Sequence, residues 1–481
     1  MKVLFVGSEC YPLVKTGGLA DVMGALPLAL APLDVDARVL LPAYPGVADR
    51  VESRRTVAVL PGLFGGRARV VSGRTADGLR VLLIEAPHLY ERAGGPYLGT
   101  DGHDHPDNDL RFAALAHVGA QMAMGRIGRW VPDVVHVHDW QAALVPAYLH
   151  HAASRVPTVL TIHNLAFQGI FPADRLAAVG LPESSFTIDG VEYHQQISFL
   201  KAGVQHATAL TTVSPTYAQE ILTPAEGFGF DGLLRARSRV LTGIANGIDD
   251  VVWNPATDPT LPFPYDASDP AGKSSCKRAL QAEMGIEQRD DLALFGVVSR
   301  LSTQKGFDLL LDVLPHLLVH GQLAVLGSGD PDIEAALRAA AVAHPDRVGL
   351  VTGYDEALAH RVQAGADLVL VPSRFEPCGL TQLCGLRYGS LPVVSRVGGL
   401  ADTVIDANDA ALRDGVATGF VFAPVTADAF ARALGRVFAT WSDQTRWRQL
   451  RARAMTRSVG WSTSAPAYRS VYDAVVRPAL G

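Results

Sequence analysis

The stretch Gly17-Gly18-Leu19-Ala20-Asp21 is repeated, letter for letter, as Gly398-Gly399-Leu400-Ala401-Asp402. Each copy follows a predicted strand and leads into an apolar segment with helical spacing. A basic residue precedes each copy by two positions, Lys15 in the first and Arg396 in the second. Paired glycines at a helix start let backbone N–H groups approach an anion, which the positive helix end also attracts. Two unrelated tight turns are the alternative, but the shared setting predicts two related α/β halves, at least one of which faces an anionic ligand.

The length and composition indicate a globular protein of more than one domain. A chain of 481 residues is longer than one hydrophobic core usually serves, which predicts two or three domains. Hydrophobic residues make up 48% and charged residues 19%, which is an ordinary globular composition. The net charge of -6 offers no basic surface for nucleic acid or an anionic membrane. We therefore expect neither as a partner.

Neither a membrane span nor a signal peptide is expected. No apolar run approaches the roughly 20 residues that cross a bilayer. The first seven residues combine a lysine with a short apolar run and no cleavage site, which is typical of a first strand. The four cysteines, Cys10, Cys276, Cys378 and Cys384, form no CxxC pair and no metal-ligand spacing. This pattern favours a reduced, cytoplasmic protein.

Short β-branched runs alternate with longer helical patterns along the chain, as in βαβ units on parallel sheets. In the first half we predict strands at 2–6, 37–41, 81–85, 134–138, 158–163 and 209–213, and helices at 18–31, 107–124, 140–150 and 215–222. In the second half we predict strands at 292–299, 322–326, 348–351, 367–371 and 391–395, and helices at 307–319, 331–344, 357–364, 380–388 and 400–405. The expected fold class is α/β.

The alternation restarts after an irregular, Pro-rich stretch that ends near residue 270. We therefore expect an N-terminal Rossmann-like domain over 1–241 and a second such domain over 242–456. The segment 457–481 has helical spacing and is expected to pack back on the first domain. Two doubly wound domains facing each other would leave a deep cleft along the carboxyl ends of both sheets, where α/β folds bind ligands.

Two loops of the second half carry the groups expected to bind an anion. Arg300 and Lys305 share the loop after the strand 292–299, and two cations there suit a diphosphate. Glu376 and Gly379 lie in the loop before the helix 380–388, where amides could cap a phosphate and the carboxylate could reach a hydroxylated group. The alternatives are a solvated loop for the first and an acidic helix start for the second.

In the first half, polar groups end two neighbouring strands, at 136–140 and 161–164. Strand alternation puts His136 and His138 on one face, so a metal pair is conceivable. A third ligand with suitable spacing is missing, and hydrogen-bonded histidines on a buried strand are the simpler interpretation. The acidic loop 101–109 lacks the Gly and Glu of an EF-hand and reads as a polar loop. No metal site is expected.

Other nucleotide-binding classes are disfavoured. The run 327–332 begins like a dinucleotide fingerprint but has Asp332 where the third glycine belongs. The sequence contains no Walker lysine motif and no GxSxG elbow. The chain thus combines nucleotide-binding domains with none of the marks of a dehydrogenase, an NTPase or a hydrolase.

Taken together, these motifs resemble those of bacterial glycogen synthases and plant starch synthases over nearly the whole chain. The resemblance is carried by the segments 15–22, 94–99, 138–140, 161–164, 246–249, 299–306, 373–381 and 398–403. It implies the GT-B architecture of two Rossmann-like domains and a retaining hexosyltransferase that moves glucose from ADP-glucose to the non-reducing end of an α-1,4-glucan such as glycogen. It implies no cofactor and no metal ion. A UDP-glucose-dependent transferase and an inactive glucan-binding scaffold are the alternatives.

The resemblance also implies roles for individual residues. Catalytic roles fall to Glu376, His163, Lys305, Arg300 and Asp139. Contacts to the ADP part of the donor fall to Lys15, Gly17, Gly18, Arg300, Lys305, Tyr354, Cys378, Gly379, Leu380 and Thr381. Contacts to the sugar or acceptor fall to Asp21, Tyr97, His163, Asn164, Asn246 and Glu376.

One position departs from related retaining transferases, which often carry a second Glu eight residues after the first. Cys384 occupies that position here, where the family usually has an aromatic residue. The missing second carboxylate agrees with glycogen synthases. Retention is then expected to proceed by front-face attack, with domain closure excluding water.

Overall fold

The computed structural model describes residues 1–476, and the chain divides into two compact units. Unit 1 comprises Met1–Asn246 and the C-terminal segment from Trp461, and unit 2 comprises Gly247–Gly460. The division therefore falls a few residues beyond the expected boundary at 242. That boundary would cut the strand Leu241–Gly243, which pairs in parallel with Ala209–Thr212 and so belongs to the sheet of unit 1.

Unit 1 is built on a nine-stranded sheet with a small three-stranded antiparallel sheet beside it. Its strands are β1 Lys2–Val6, β2 Asp36–Pro42, β3 Glu52–Leu63, β4 Gly66–Arg74, β5 Arg80–Glu85, β6 Val134–His138, β7 Thr158–Ile162, β8 Ile170–Pro172, β9 Glu192–Tyr193, β10 Gln196–Ser198, β11 Ala209–Thr212 and β12 Leu241–Gly243. Its first eight helices are α1 Gly18–Leu30, α2 Pro87–Tyr90, α3 Asn108–Ala123, α4 Asp139–Ala142, α5 Leu144–His151, α6 Phe199–His206, α7 Pro215–Glu220 and α8 Asp231–Ala236.

The large sheet runs β12-β11-β7-β6-β1-β2-β5-β4-β3. Pairing is parallel from β12 to β5, and β4 and β3 extend the edge as an antiparallel hairpin. Strand β1 is fully buried from Val3 to Val6, because helices cover both faces of a parallel sheet. The order changes direction at β1, which has β2 on one side and β6 on the other. The loops after β1 and β6 therefore flank a topological switch point.

Unit 2 contains a single six-stranded parallel sheet. Its strands are β13 Ala293–Val298, β14 Gly321–Gly327, β15 Val348–Thr352, β16 Leu368–Val371, β17 Leu391–Ser395 and β18 Phe420–Phe422. Its helices are α9 Ala271–Glu283, α10 Phe307–His320, α11 Pro331–Ala343, α12 Glu356–Gly365, α13 Thr381–Tyr388, α14 Gly398–Thr403, α15 Asp409–Arg413, α16 Ala427–Ser442 and α17 Gln444–Met455. The order β15-β14-β13-β16-β17-β18 is the doubly wound Rossmann order, with its switch point between β13 and β16.

The last described helix, α18 (Trp461–Val476), belongs to unit 1. It packs on α1, and its Tyr468 and Tyr472 are fully buried. The Tyr472 hydroxyl lies 2.8 Å from Nδ1 of His136 on β6. Residues 477–481 of the predicted C-terminal segment lie outside the described residues.

Most predicted elements are present with ends shifted by one or two residues, and the differences have physical reasons. The predicted helix 140–150 is two helices, α4 and α5, which meet at Ala143. The hairpin of β3 and β4 has no predicted counterpart, because β3 is exposed along most of its length and shows no apolar alternation. Helices α6, α9, α16 and α17 also lie where we predicted no element. None of the helices within 1–476 has the length and hydropathy needed to cross a membrane.

Candidate active site

In unit 2 the loops at the switch point bring together the acid and the base that the sequence singled out. Nζ of Lys305, in the loop after β13, lies 2.6 Å from Oε2 of Glu376, in the loop after β16. The Ser373 hydroxyl donates to the same carboxylate oxygen at 2.9 Å. Glu376 is only 7% exposed, so a charged group in a largely desolvated position is held by one cation and one hydroxyl.

The two loops approach closely because one residue between them has no side chain. Gly306 has φ +74, and a Cβ there would lie 2.0 Å from the Pro372 carbonyl oxygen. A backbone hydrogen bond from the Arg374 amide to the Gln304 carbonyl, 2.9 Å long, joins the same loops. Lys305 is thereby placed beside Glu376 by backbone geometry as well as by charge.

The second copy of the repeat supports the backbone of the Glu376 loop. Gly398 has φ +40, and a Cβ there would lie 2.0 Å from the Glu376 carbonyl oxygen. A Cβ on Gly399 would lie 2.3 Å from the Cys378 carbonyl oxygen, and the Gly399 amide donates to the Glu376 carbonyl at 3.2 Å. These glycines therefore permit a backbone-to-backbone approach that any other residue would obstruct.

The remaining groups expected to contact the donor in unit 2 surround this loop. Gly379 has φ +70, and the Gln382 side-chain amide donates to its carbonyl at 2.8 Å and to that of Cys378 at 3.0 Å. Leu380 and Thr381 begin α13, where backbone N–H groups lack helical partners.

The other two candidates of unit 2 lie in loops that follow neighbouring strands. Arg300 is exposed in the loop after β13. Tyr354, 66% exposed after β15, is available as a stacking surface.

In unit 1, a residue that the sequence analysis did not single out organises the loop between β1 and α1. This residue is Glu9, which is 2% exposed. It accepts hydrogen bonds from the Thr16 amide, from the Thr16 hydroxyl at 2.6 Å and from the Gly17 amide at 3.2 Å. The Gly17 amide, which we expected at the donor phosphates, is thus already engaged. Of the expected glycines, Gly18 at the first position of α1 retains an amide of the kind that lacks a helical partner.

Tyr97 is bound to the same carboxylate. Its hydroxyl donates to Glu9 and lies 2.8 Å from the Ser8 hydroxyl. Burial, followed by the nearby Glu9 charge, raises the pKa of the Tyr97 phenol well above its usual range. The Asn108 side chain donates to the Tyr97 carbonyl at 3.1 Å, so both ends of the residue are held. The Tyr97 ring, which we predicted to contact the sugar, is therefore held in a fixed position.

Lys15 and Asp21 form an ion pair within the first repeat. Nζ of Lys15 lies 3.0 Å from the Asp21 carboxylate, and both side chains are about one-fifth exposed, at 21% and 24%. Asp21, which we expected to contact the sugar, is therefore next to the ammonium group expected to contact phosphate. The ion pair restricts the position of the Lys15 ammonium group and leaves it partly exposed to solvent.

Asp139 and His163 adjoin each other at the ends of β6 and β7. One Asp139 oxygen accepts the His163 amide at 2.7 Å and the Asn164 amide at 3.4 Å. Burial raises the pKa of Asp139 to about 7, although these two amides oppose the shift. Burial lowers the pKa of His163 to about 3, so its imidazole is neutral at physiological pH. Asp139 adopts φ +54, a left-handed conformation that is uncommon for a residue with a side chain.

Asn246, the last residue of the first segment of unit 1, is 8% exposed. Its Oδ1 atom is buried, and within the described part of the chain it accepts no hydrogen bond. Such an oxygen is one that a ligand hydroxyl would satisfy.

Sequence reasoning missed Glu9, Ser373 and Gln382. Glu9 could have been found because Ser8 and Glu9 lie in the loop that follows β1, which is where a doubly wound sheet binds ligands. Ser373 donates to the Glu376 carboxylate, and Gln382 donates to two backbone carbonyls of the same loop. These contacts form only when the loop is folded, so no sequence pattern indicates them.

Within residues 1–476, no cluster of three or more His, Cys, Asp or Glu side chains has an arrangement that could hold a metal ion. The two nitrogens of His136, which we considered as a ligand, lie against Thr161 and Tyr472. All four cysteines are buried and free.

Comparisons with known proteins identify the family to which the chain belongs. Residues 2–236 match the family model for the starch synthase catalytic domain, and residues 282–453 match that for glycosyl transferases group 1. The chain is 54% identical over 475 residues to a glycogen synthase of Roseobacter denitrificans, covering 98% of this chain and 99% of that one. It is also 54% identical over 478 residues to a glycogen synthase of Rhodopseudomonas palustris, covering 99% of both chains.

Two solved structures of glycosyltransferases are also similar to this chain. The catalytic domain of starch synthase IV from Arabidopsis thaliana, bound to ADP and acarbose, superposes with a TM-score of 0.91 at 32% identity over 99% of both chains. A sucrose-phosphate synthase from Thermosynechococcus elongatus, 17% identical with a TM-score of 0.60 over 98% of both chains, shares the fold. Two Rossmann-like units with these relatives constitute the GT-B fold, and the chain belongs to the glycogen synthase family of glycosyltransferases.

Proposed function

We propose that this enzyme transfers glucose from ADP-glucose to the non-reducing end of an α-1,4-glucan with retention of anomeric configuration. The observation that carries the proposal is the Lys305–Glu376 pair at the switch point of unit 2, with Arg300 in the same loop as the lysine. Support for an adenine nucleotide comes from the starch synthase solved with ADP and acarbose. Support for a glucan product comes from the glycogen synthases that match over the whole chain.

The chemistry needs cations at the leaving group and a carboxylate near the sugar. Cleavage of the bond between glucose and diphosphate builds negative charge on the diphosphate and positive charge on the sugar ring. In our proposal Arg300, Lys305 and Lys15 stabilise the diphosphate, together with amides at the start of α1 and around 378–381. Glu376 binds glucose hydroxyls and stabilises the positive ring, while Tyr354 stacks on the adenine.

Unit 1 supplies the polar groups proposed for the glucose and acceptor. His163 and Asn164 would hydrogen-bond hydroxyls, and Asp139 holds the backbone of both in place. Tyr97, Asp21 and Asn246 complete this set as proposed sugar contacts. We also propose that the reaction needs no metal ion, because three cationic side chains are assigned to the diphosphate, and that the enzyme acts in the cytoplasm.

The proposal is tested by incubating the purified enzyme with glycogen and radiolabelled ADP-glucose or UDP-glucose, with and without EDTA. We expect incorporation from ADP-glucose, undiminished by EDTA. Incorporation from neither donor would refute the transferase assignment. Preferential use of UDP-glucose would overturn the donor, and loss of incorporation in EDTA would overturn the metal-free reaction.

Replacing Lys15 by Ala should raise the KM for ADP-glucose. A charged hydrogen bond to phosphate contributes about 1.5–3 kcal/mol, which corresponds to roughly 10- to 100-fold in KM. Steady-state kinetics with varied ADP-glucose at saturating glycogen measures the change. Lys2→Ala, at the opposite end of β1 from the site loop, is the control and should leave KM unaltered. An unchanged KM in Lys15→Ala would remove this residue from the donor site.

The pH dependence of the reaction should report Asp139. Its carboxylate orients His163 and Asn164 by accepting their amides, and this acceptor weakens when protonation occurs as pH falls through about 7. We therefore expect kcat/KM to decline below pH 7 in the wild type and to be flatter in Asp139→Asn, whose amide oxygen still accepts both bonds. Titration of His163 should not change kcat/KM above pH 5, because its pKa is about 3. An unaltered acid limb in Asp139→Asn would contradict the assignment.

The same group has a consequence for stability. Because the pKa of Asp139 is higher in the folded state than its ordinary value of 3.8, the folded state binds more protons between pH 4 and 7. The free energy of unfolding of the wild type should therefore fall as pH rises from about 4 to 7 and level off above pH 7, whereas that of Asp139→Asn should lack this fall. Thermal unfolding of both proteins from pH 5 to 8 measures the difference, which should favour the variant increasingly up to pH 7.

A further inference from the structure

Three histidines of unit 1 form a row at the ends of β6 and β7. The rings of His136 and His138 have centroids 4.2 Å apart, and those of His138 and His163 lie 5.2 Å apart. Nδ1 of His138 is 2.9 Å from Nε2 of His163, a hydrogen bond between two imidazoles. Burial lowers the pKa of both rings, so each is neutral and carries one proton. Only one of the two nitrogens can be the donor.

The surroundings of His138 decide between the two arrangements. His138 is fully buried, and Phe5 stacks on its ring at a centroid distance of 5.6 Å and an interplanar angle of 18°. Its Nε2 atom has no hydrogen-bond partner among residues 1–476. If His163 donated the shared hydrogen bond, the proton of His138 would be on this Nε2 and a buried N–H would lack an acceptor. If His138 donates, Nε2 is a bare lone pair, which is the less costly defect because orphaned N–H groups are the rarer ones in proteins.

We infer that His138 is a positioning residue that holds His163 in the tautomer with its proton on Nδ1. Since Nε2 of His163 accepts from His138, Nδ1 is the ring nitrogen left for a ligand, and it presents an N–H. His163 then donates a hydrogen bond to a sugar hydroxyl oxygen and cannot accept a proton from one. The identity of the ligand as a sugar rests on the proposed function, whereas the tautomer does not.

His136 is held separately from this pair. Its Nε2 lies 2.6 Å from the Thr161 hydroxyl and its Nδ1 lies 2.8 Å from the Tyr472 hydroxyl, so both of its nitrogens are used elsewhere. Thr161 in turn lies 2.6 Å from the Thr211 hydroxyl. His136 therefore has no nitrogen available for His138, and the hydrogen bond of His138 is to His163. The two hydroxyls also hold the His136 ring in place, and His138 packs against that ring.

The tautomer can be read directly by NMR of the full-length enzyme labelled with ¹⁵N-histidine. Two-bond ¹H–¹⁵N correlations distinguish an Nδ1–H from an Nε2–H imidazole, and the His163 signals are assigned by their loss in His163→Gln. We expect the Nδ1–H form for His163 in the wild type at pH 7.5. An Nε2–H form would overturn the inference, and this measurement needs no variant at position 138.

Two variants test the role of His138. His138→Asn retains a donor near the position of Nδ1 and should keep His163 in the Nδ1–H form. His138→Asp presents only acceptor oxygens there, so a proton should appear on Nε2 of His163 and kcat should fall about tenfold, with the KM for ADP-glucose changing less than twofold. An Nε2 of His163 that stays without a proton in His138→Asp, or equal losses of kcat in the Asp and Asn variants, would contradict a positioning role. If the wild type transfers glucose from no nucleotide sugar, the proposed function fails while the NMR result still decides the tautomer.

Discussion

Replacing Glu376 by Gln should lower kcat by about two to three orders of magnitude while the fold survives. The carboxylate is held by Lys305 at 2.6 Å and Ser373 at 2.9 Å, and Gln can accept hydrogen bonds from both with nearly the same shape. What Gln lacks is the negative charge. In a site only 7% exposed, a charge placed to stabilise a positive sugar acts with little screening, and removal of one such group typically costs 10²- to 10³-fold.

The measurement is kcat with ADP-glucose and glycogen, together with circular dichroism and thermal unfolding. Glu283→Gln is the matched control, because Glu283 also pairs with a cation, Arg361, at 2.6 Å in unit 2 but lies on the surface. An exposed pair of that kind contributes at most about 1 kcal/mol, so its loss should leave kcat unchanged. Near-normal turnover in Glu376→Gln would show that Glu376 has no part in stabilising the transition state.

Replacing Gly398 by Ala should destabilise unit 2 and displace the Glu376 loop. Alanine would have to adopt φ +40 with its Cβ 2.0 Å from the Glu376 carbonyl oxygen, a contact with backbone that cannot move aside freely. A strained backbone and an enforced shift together cost about 2–4 kcal/mol. Because the displaced carbonyl belongs to Glu376 itself, kcat should fall as well, even in protein that remains folded.

The first copy of the repeat supplies the control. Gly17 has φ -160, an extended conformation that any residue adopts, and a Cβ there meets no atom within 4 Å. The free energy of unfolding of Gly17→Ala, measured by denaturant titration, should therefore lie within about 0.5 kcal/mol of the wild-type value. Equal losses of stability in Gly17→Ala and Gly398→Ala would mean that the contact with the Glu376 carbonyl is not what requires glycine at the second site.

The two copies of Gly-Gly-Leu-Ala-Asp show how far a local pattern can be interpreted. Both begin a helix, as their spacing predicted, since apolar periodicity and glycine at a helix start are local properties. Their tasks differ because each meets a different neighbour. The first loop encloses the Glu9 carboxylate, whereas the second packs against the Glu376 backbone. Neither partner is encoded in the repeat itself.

The α/β class, most strands and helices, and the loops that carry Arg300, Lys305 and Glu376 could be predicted from the sequence. This is possible because strands buried on both faces are apolar throughout, and parallel strands bring the residues that follow them to one edge of a sheet. Three contacts could be seen only in the folded chain: Lys305 pairs with Glu376, Glu9 accepts the Gly17 amide, and His138 hydrogen-bonds His163. These contacts depend on the order of strands in the sheet and on the exact course of the loops, which bring together groups distant in sequence through pairing and packing that no local periodicity records.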